Sequence, residues 1–269
     1  MKIKKILRDR YYTQAYRLRI KKWLRSPGTY APLDDTNYRL ITGMGRSGTK
    51  FLSGLINKST DAVSHHEPGR FDRYAGVNSY SNEDQGNFLK FQKTPEINSI
   101  LHDNSGMVYC EVNSYLRNMH LQVSQLITNN IYFIIRNPVD TIISILNRDT
   151  FTHKDAFGTD IGQQLACGKN NRLTAVCNYW NSYYSSITEL NRPVIYLESI
   201  TTQYQKYLEL CQSLGITPIN EEAFIVIKDR KVNITKRAVP FSKEDLQQNE
   251  WDTILSICGD TAETFGYTI

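Results

Sequence analysis

The chain lacks any run of about 18 apolar residues, the length that a membrane-spanning helix needs. Its N-terminus is basic but has no continuous apolar core of the kind found in secretory signals. Neither Cys-x-x-Cys pairs nor Cys/His clusters are present, so disulfide frameworks and structural zinc are not expected. We therefore expect a cytoplasmic protein with reduced, scattered cysteines, which are Cys110, Cys167, Cys177, Cys211 and Cys258.

Excess positive charge is also missing from most of the chain. Residues 1–25 contain ten Lys and Arg against one acid, whereas the remainder contains 22 basic and 26 acidic residues. The net charge of +5 therefore describes the N-terminal segment and not the folded body. Nucleic acid is not an expected partner for such a body.

Residues 1–25 predict a basic amphipathic helix, because apolar side chains recur among the cations at helical spacing. Such a helix can lie on an anionic membrane surface, which would make the protein membrane-peripheral. Alternatively it is solvated and packs its Tyr and Leu face on the domain, which we favour because charge runs are usually solvated. Residues 26–32 form a breaker-rich linker, so we divide the chain into a helix and linker (1–36) and a catalytic domain (37–269). The apolar positions are Ile3, Leu7, Tyr11, Ala15 and Leu18.

From residue 37 onward, short apolar runs alternate with helical patterns. Residues 131–135 are apolar throughout, as in a parallel strand covered on both faces. Residues 68–100 are polar and rich in Gly, Asn and Tyr, which favours an insertion beside the active site. The alternation predicts an α/β fold with three layers and a doubly wound, mainly parallel sheet. The predicted strands are 38–42, 61–65, 107–112, 131–135 and 193–197.

A glycine-rich turn follows the first strand and precedes a helix, which is the layout of a phosphate-binding loop. Gly43 and Gly48 have the Walker spacing, but Thr49 and Lys50 stand in the opposite order to the Walker Lys-Ser/Thr pair. The cation within the turn is instead Arg46. This turn suits an anion whose charge lies on a terminal group beside the arginine.

The strand at 131–135 ends in Arg136, and Ser144 follows eight residues later in a helix that Pro138 begins. Arg136 offers a planar fork for a phosphate, and Ser144 adds a hydroxyl donor. Ligands of open α/β sheets bind at the carboxyl ends of the strands, where both stretches lie. A Walker B strand would end in an acid that holds metal, so no metal is expected here.

With these two stretches, the chain resembles the sulfotransferases that use 3′-phosphoadenosine-5′-phosphosulfate (PAPS). Their 5′-phosphosulfate loop is similar to Gly45-Arg46-Ser47-Gly48-Thr49, and their 3′-phosphate motif to Arg136-Asn137-Pro138 with Ser144. The similarity extends through His66-Glu67-Pro68 and the strand ending at Glu198. It implies a P-loop-like sulfotransferase domain at 37–269, with PAPS as the sulfuryl donor and 3′,5′-ADP (PAP) as the product.

The Arg-Ser-Gly-Thr form followed by Glu-Pro resembles the carbohydrate and tyrosylprotein branch of that family. In tyrosylprotein sulfotransferases a glutamate 21 residues beyond the loop arginine is the base, and Glu67 has that spacing from Arg46. The resemblance thus implies Glu67 as general base, with His66 or His65 as the alternative. It also implies that Arg46 and the amides of residues 47–49 hold the phosphosulfate. Arg230 or Lys231, in a basic C-terminal loop, either reaches the 3′-phosphate or is solvated, as charge runs commonly are.

Two positions depart from that family's pattern. Lys50 stands where a second Thr or Ser is common, and it either points into the donor site or faces solvent. Val112 stands where many relatives have Lys, within Glu111-Val112-Asn113-Ser114. Whatever that lysine contributes must come from another residue or be absent.

The expected activity is sulfuryl transfer from PAPS to a hydroxyl acceptor, with carbohydrate ahead of peptidyl tyrosine and lipid. Residues 68–105 and 149–170 are expected to shape the acceptor pocket. One alternative is an ATP-dependent P-loop kinase, which the Thr49-Lys50 order and the missing Walker acid disfavour. Another is a non-catalytic protein of the same fold that the basic segment anchors at a membrane surface.

Overall fold

The computed structural model describes residues 11, 14–19, 21–22, 33–69, 71–73, 75, 82–147, 172–228 and 242–269. Five strands within these ranges form one sheet in the order β2-β3-β1-β4-β5, and every neighbouring pair is parallel. The predicted α/β class with a parallel sheet is confirmed, and all five predicted strands are present. They are β1 (Tyr38–Gly43), β2 (Ala62–His66), β3 (Val108–Val112), β4 (Ile131–Ile135) and β5 (Val194–Tyr196).

The helices of the described ranges connect and cover these strands. A π-helix (Leu89–Lys93) joins α2 to α3, and 3₁₀ turns occupy Ser114–Met119, Thr188–Leu190 and Lys243–Asp245. None of the helices in these ranges has both the length and the apolar character to cross a bilayer. They are α1 (Thr49–Ile56), α2 (Asn82–Phe88), α3 (Thr94–Asp103), α4 (His120–Leu126), α5 (Pro138–Leu146), α6 (Arg172–Ser185), α7 (Leu197–Thr202), α8 (Tyr204–Leu214), α9 (Glu221–Lys228) and α10 (Gln248–Thr264).

One expected element boundary needs correction. The polar insertion at 68–100 is helical from residue 82 onward, and its apolar residues Phe88 and Ile97 are fully buried. The fifth strand ends at Tyr196, and residue 197 already begins α7. The last strand therefore supplies a short edge and a helix start at the same end of the sheet as the glycine-rich turn.

Side chains alternate between the two faces of the sheet, as the period of two in a strand requires. Ile41 and Ile134 pack with the apolar residues of α1, α8 and α9. Leu40 and Phe133 pack on the opposite face with α5, α6 and α10, where Trp180 is fully buried. Helices on both faces give the predicted three-layer architecture.

The described part of the N-terminal segment is helical at residues 14–19 and packs on the domain. Tyr16 is fully buried, and its ring lies 6.3 Å from Phe71 and 6.1 Å from Phe88. Tyr11 and Leu18, which the helical spacing placed on the packing face, are instead 63% and 67% exposed. Packing on the domain is thus present, through Ala15 as predicted and through Tyr16, which was not predicted.

Candidate active site

The central strand, β1, carries the glycine-rich turn at its carboxyl end. Since β3 and β4 flank β1, the residues that follow these strands meet the turn from both sides. The crossover after β1 leads to β2 on one side, whereas the crossover after β3 passes β1 to reach β4 on the other, and such points of parallel sheets form the crevice in which ligands bind. The predicted donor loop therefore occupies the ligand-binding position of its fold.

The turn itself holds two residues in the left-handed region, Arg46 (φ 83°) and Gly48 (φ 84°). Gly48 is the N-cap of α1, and a Cβ there would lie 2.4 Å from Cδ1 of Leu197. Both the positive φ of Gly48 and the lack of space for a Cβ beside Leu197 therefore favour glycine at this position. Arg46 has no such freedom, and a side chain in this conformation costs about 1–2 kcal/mol. Strain of this kind persists where a functional geometry requires it.

Arg46 contacts the second predicted motif directly. Its Nε donates to Oγ of Ser144 at 2.8 Å, and Nη1 of Arg136 donates to the carbonyl of Arg46 at 3.4 Å. Asn137 caps α5 by accepting from the amide of Val139 at 3.0 Å, which fixes the turn between Arg136 and the helix. The two stretches that the sequence singled out separately thus lie side by side.

Ser47 is fully buried, and its hydroxyl faces the protein interior. Its Oγ lies 2.9 Å from the hydroxyl of Tyr184, which donates to the carbonyl of Ile134 at 3.1 Å. Because that tyrosine proton is committed to Ile134, Ser47 donates to Tyr184. Burial raises the pKa of Tyr184 to about 12, so the phenol stays neutral. No local pattern in the sequence singles out Tyr184, which lies within α6.

A second group of side chains gathers where β2 ends. Oγ1 of Thr49 lies 3.1 Å from Nε2 of His66, which is 3.9 Å from Oε1 of Glu67. Ser114 donates a hydrogen bond to that same carboxylate oxygen. The amide of Glu67 donates to the carbonyl of Val112 at 3.1 Å, and its φ of 50° is again left-handed. Glu67 is thereby fixed next to the start of α1.

His66 rather than His65 is the histidine that faces this group. The ring of His65 instead lies edge-on to Tyr109, with centroids 5.5 Å apart. Burial lowers the pKa of His66, Glu67 opposes this effect, and the charge of Lys50 lowers the pKa further. Lys50 itself is exposed at the start of α1. His66 is therefore neutral at physiological pH and can accept from Thr49.

Arg136 lies in a mixed-charge environment. Its Nη2 is 3.9 Å from Oδ2 of Asp140, one turn further along α5, and Nζ of Lys243 is 3.0 Å from Oδ1 of the same residue. All three side chains are partly exposed. Lys243 was not among the predicted residues, yet it adds a second cation near Arg136.

Glu198 has a structural role, because its carboxylate joins two parts of the chain. One carboxylate oxygen accepts from the amide of Asn137 at 2.9 Å, and the other accepts from the hydroxyl of Tyr267 at 2.8 Å. Glu198, two residues after β5, thus holds Asn137, two residues after β4. This contact keeps Arg136 at the edge of the crevice.

Some predicted residues cannot be placed beside the others. Arg230, Lys231 and the predicted acceptor segment 149–170 lie outside the described residues. Gly45 belongs to the turn, and no atom lies within 4 Å of the position a Cβ would take there. Ser114 was missed as a functional residue, although it lies in the Glu111-Val112-Asn113-Ser114 segment that the sequence marked. Across the described ranges, no group of three His, Cys, Asp or Glu side chains is arranged to hold a metal ion.

Comparison with solved structures shows a shared fold. The sulfotransferase domain from the curacin biosynthetic pathway matches with a TM-score of 0.55 over 90% of this chain and 100% of that chain. The chain shares the fold of a sulfotransferase domain. At 14% sequence identity this similarity concerns the fold alone.

Two further structures are similar at lower scores. They are the sulfotransferase domain of the Synechococcus PCC 7002 olefin synthase and mouse sulfotransferase SULT7A1 complexed with PAP. The first has a TM-score of 0.49 and 14% identity over 90% of this chain and 100% of that chain. The second has a TM-score of 0.46 and 14% identity over 88% of this chain and 89% of that chain. No protein-family model and no curated protein sequence matches the chain.

Proposed function

We propose that the protein transfers the sulfuryl group of PAPS to a hydroxyl acceptor. The observation that carries this proposal is the 2.8 Å contact between Nε of Arg46 and Oγ of Ser144, across 98 residues of sequence. It joins a loop suited to a phosphosulfate to a motif suited to a 3′-phosphate. The fold shared with a sulfotransferase domain supports the same class of reaction.

In this proposal the turn and the start of α1 bind the 5′-phosphosulfate. Gly45 and Gly48 let the backbone approach the anion, Thr49 adds a hydroxyl and Arg46 adds a guanidinium. Lys50 contributes charge from its exposed position. The 3′-phosphate is bound by Arg136 and Ser144, together with Arg230 or Lys231 from the basic C-terminal segment.

The reaction is an in-line displacement at sulfur, and positioning and charge stabilisation supply most of the catalysis. Glu67 removes the acceptor proton as the acceptor oxygen forms its bond to sulfur. The bond between sulfur and the 5′-phosphate oxygen breaks, and PAP leaves with that electron pair. Arg46 stabilises the charge that develops on the leaving oxygen. His66 is the alternative base, because it is neutral and lies beside both Thr49 and Glu67.

For the acceptor we propose a carbohydrate, ahead of peptidyl tyrosine and lipid hydroxyls. The support is the resemblance of the Arg46-to-Thr49 turn and the Glu67-Pro68 pair to the carbohydrate and tyrosylprotein branch. The partly exposed Glu67 carboxylate, 23% accessible, can meet a hydroxyl from solvent.

Calorimetric titration with PAP and with ATP tests the donor. We expect PAP to bind in the presence of EDTA, and we expect Arg46→Ala and Ser144→Ala each to weaken it by about 10- to 100-fold, as for lost hydrogen bonds to charged groups. Lys206→Ala is the control, since this exposed lysine pairs with Glu209 on the surface of α8. Binding of ATP that requires Mg²⁺, with none of PAP, would establish the kinase alternative.

Transfer is then measured with ³⁵S-labelled PAPS against methyl glycosides, a tyrosine-containing peptide and octyl glucoside. We expect labelled product from a glycoside, and we expect Glu67→Gln to abolish most of it without weakening PAP binding. Tight PAP binding with neither transfer nor PAPS hydrolysis would show a non-catalytic protein of this fold. Equal rates for Glu67→Gln and wild type would exclude Glu67 as the base.

A further inference from the structure

A fully buried lysine is connected through Asp72 to the segments that hold the proposed base, without taking part in the proposed chemistry. Nζ of Lys93 is 2.9 Å from Oδ2 of Asp72, 2.6 Å from Oε1 of Glu111 and 3.7 Å from Oε1 of Glu96. Lysine is almost never completely buried unless it is paired. A buried cation surrounded by three carboxylates therefore needs an explanation beyond ordinary packing.

The backbone around Lys93 is irregular. Lys93 is the last residue of the π-helix between α2 and α3, and Oγ1 of Thr94 donates to the carbonyl of Leu89 at 2.9 Å. A π segment shifts the phase of the residues that follow it and occurs often at functional sites. In this chain the π-helix ends at Lys93, whose side chain points inward although the surrounding stretch is polar.

The carboxylate of Asp72 connects Lys93 to both segments that hold Glu67. Its Oδ2 accepts from the amide of Gly69 at 3.0 Å, two residues after Glu67. The same oxygen accepts from Nδ2 of Asn113 at 2.5 Å, and Asn113 directly precedes Ser114, the hydrogen-bond donor to Glu67. One buried oxygen thus connects the chain after β2 to the chain after β3.

The position of this carboxylate is closely constrained. A Cβ on Gly69 would lie 2.0 Å from Oδ1 of Asp72, so the carboxylate packs against the glycine backbone. Glu111 accepts from Nδ2 of Asn113 at 2.6 Å and from the hydroxyl of Tyr38 at 3.2 Å, which ties the group to β1. A displacement of Asp72 would be transmitted to both segments.

The electrostatics keep Lys93 charged. Burial alone would lower its pKa, but Glu111, Asp72 and Glu96 outweigh burial and raise that pKa. Burial also raises the pKa of Glu96 to about 7, so Glu96 is partly protonated near neutral pH. Lys93 therefore remains the cation that holds Asp72 in place.

We propose that Lys93 and Asp72 form a positioning pair that holds the Glu67 carboxylate at the acceptor side of the site. This inference rests on the proposed function, in which Glu67 is the base. Neither residue is assigned a contact with PAPS or with the acceptor. They act through Gly69, Asn113 and Ser114.

The imidazole of His66 reports on the position of Glu67, because the two side chains lie 3.9 Å apart. We would measure its pKa by NMR in wild type, Asp72→Asn, Glu67→Gln and the double variant, with the resonance assigned by its loss in His66→Gln. The groups that face this ring are Thr49, Lys50 and Glu67, and neither Thr49 nor Lys50 is replaced in these variants. We expect Asp72→Asn to lower the pKa of His66 when Glu67 is present and to have little effect in the Glu67→Gln background.

Equal shifts in the two backgrounds would overturn the positioning pair, because a direct charge effect does not depend on Glu67. Lys93→Met, measured alone and combined with Glu67→Gln, tests the lysine of the positioning pair in the same way. Since that variant leaves carboxylates buried without their cation and can unfold, Asp72→Asn is the decisive variant. It retains an acceptor oxygen and a similar volume. Lys206→Met is the matched control, because this exposed lysine also binds a carboxylate, that of Glu209.

Hydrolysis of ³⁵S-labelled PAPS and transfer to methyl glycosides provide the second measurement. We expect Asp72→Asn to lower kcat by about tenfold with KM for PAPS unchanged, and to add no loss to Glu67→Gln, since residues that act as a unit are not additive. A wild-type protein that binds no PAP would refute the proposed function. PAP binding combined with additive losses would refute only the positioning pair.

Discussion

Replacing Gly48 by Ala should damage the donor loop in two separable ways. The left-handed backbone costs an alanine about 1–2 kcal/mol, and forcing a methyl group to 2.4 Å from Leu197 costs about 1–3 kcal/mol as overpacking. The smaller entropy of the unfolded alanine chain returns about 0.4–1 kcal/mol. We therefore expect a net loss of roughly 1–4 kcal/mol in the free energy of unfolding.

Urea denaturation followed by circular dichroism measures this loss. Gly45→Ala is the matched control within the same turn, because its Cβ would meet no atom within 4 Å and its φ is not positive. The double variant with Leu197→Ala should be less destabilised than the sum of the single variants, since it removes the clash and leaves the backbone strain. Equal unfolding free energies for Gly48→Ala and Gly45→Ala would refute both the left-handed cap and the close contact.

Three other perturbations test neighbouring features. Tyr184→Phe removes the buried partner of Ser47 and should lower the free energy of unfolding in urea by about 1–3 kcal/mol. It should also weaken PAP binding. Unchanged stability and PAP binding would show that the contact between Ser47 and Tyr184 contributes to neither. Because burial lowers the folded pKa of His66, its contribution to stability is complete above the ordinary value of 6.5 and is lost as pH falls below it. We therefore expect the free energy of unfolding of His66→Gln to decrease less than that of wild type as the pH falls below 6.5. The same pH dependence in both proteins would contradict the lowered pKa of His66. Finally, because the N-terminal helix packs on the domain, we expect neither the full chain nor Lys21→Glu/Lys22→Glu to float with phosphatidylserine vesicles, whereas flotation of the full chain alone would show a membrane role for the exposed cations.

The meeting of the glycine-rich turn with Arg136 and Ser144 was predictable because its signals are local. An apolar strand followed by Arg46 and two glycines, and another followed by Arg136 and Ser144, can each be recognised within about one strand and one helix. Parallel strands bring their carboxyl ends to one edge, so the proximity of Arg46 and Ser144 followed from the fold class. The strand β4 lies where an apolar run predicted it, because burial on both faces leaves a continuous apolar pattern.

The remaining features depend on contacts that no local pattern encodes. Lys93 lies in a stretch that is polar on average, and its burial depends on Asp72 and Glu111 from other elements. Residues of this kind are expected at the surface, because nothing near them in the sequence announces their counter-charges. The left-handed conformations of Arg46 and Glu67 have the same origin, since neither residue type favours that region.

The central place of β1 in the sheet has a consequence for how the protein is made. Ser47 acquires its partner Tyr184 only 137 residues later, and Arg46 acquires Ser144 only 98 residues later. Contacts of such long range form slowly and late, because the loops between them must close first. A nascent chain therefore synthesises its glycine-rich turn early, but lacks the other wall of the crevice until residue 184 has emerged from the ribosome. In the proposed function, affinity for PAPS therefore measures completed folding, and a fragment that ends before α6 would contain the loop without Tyr184.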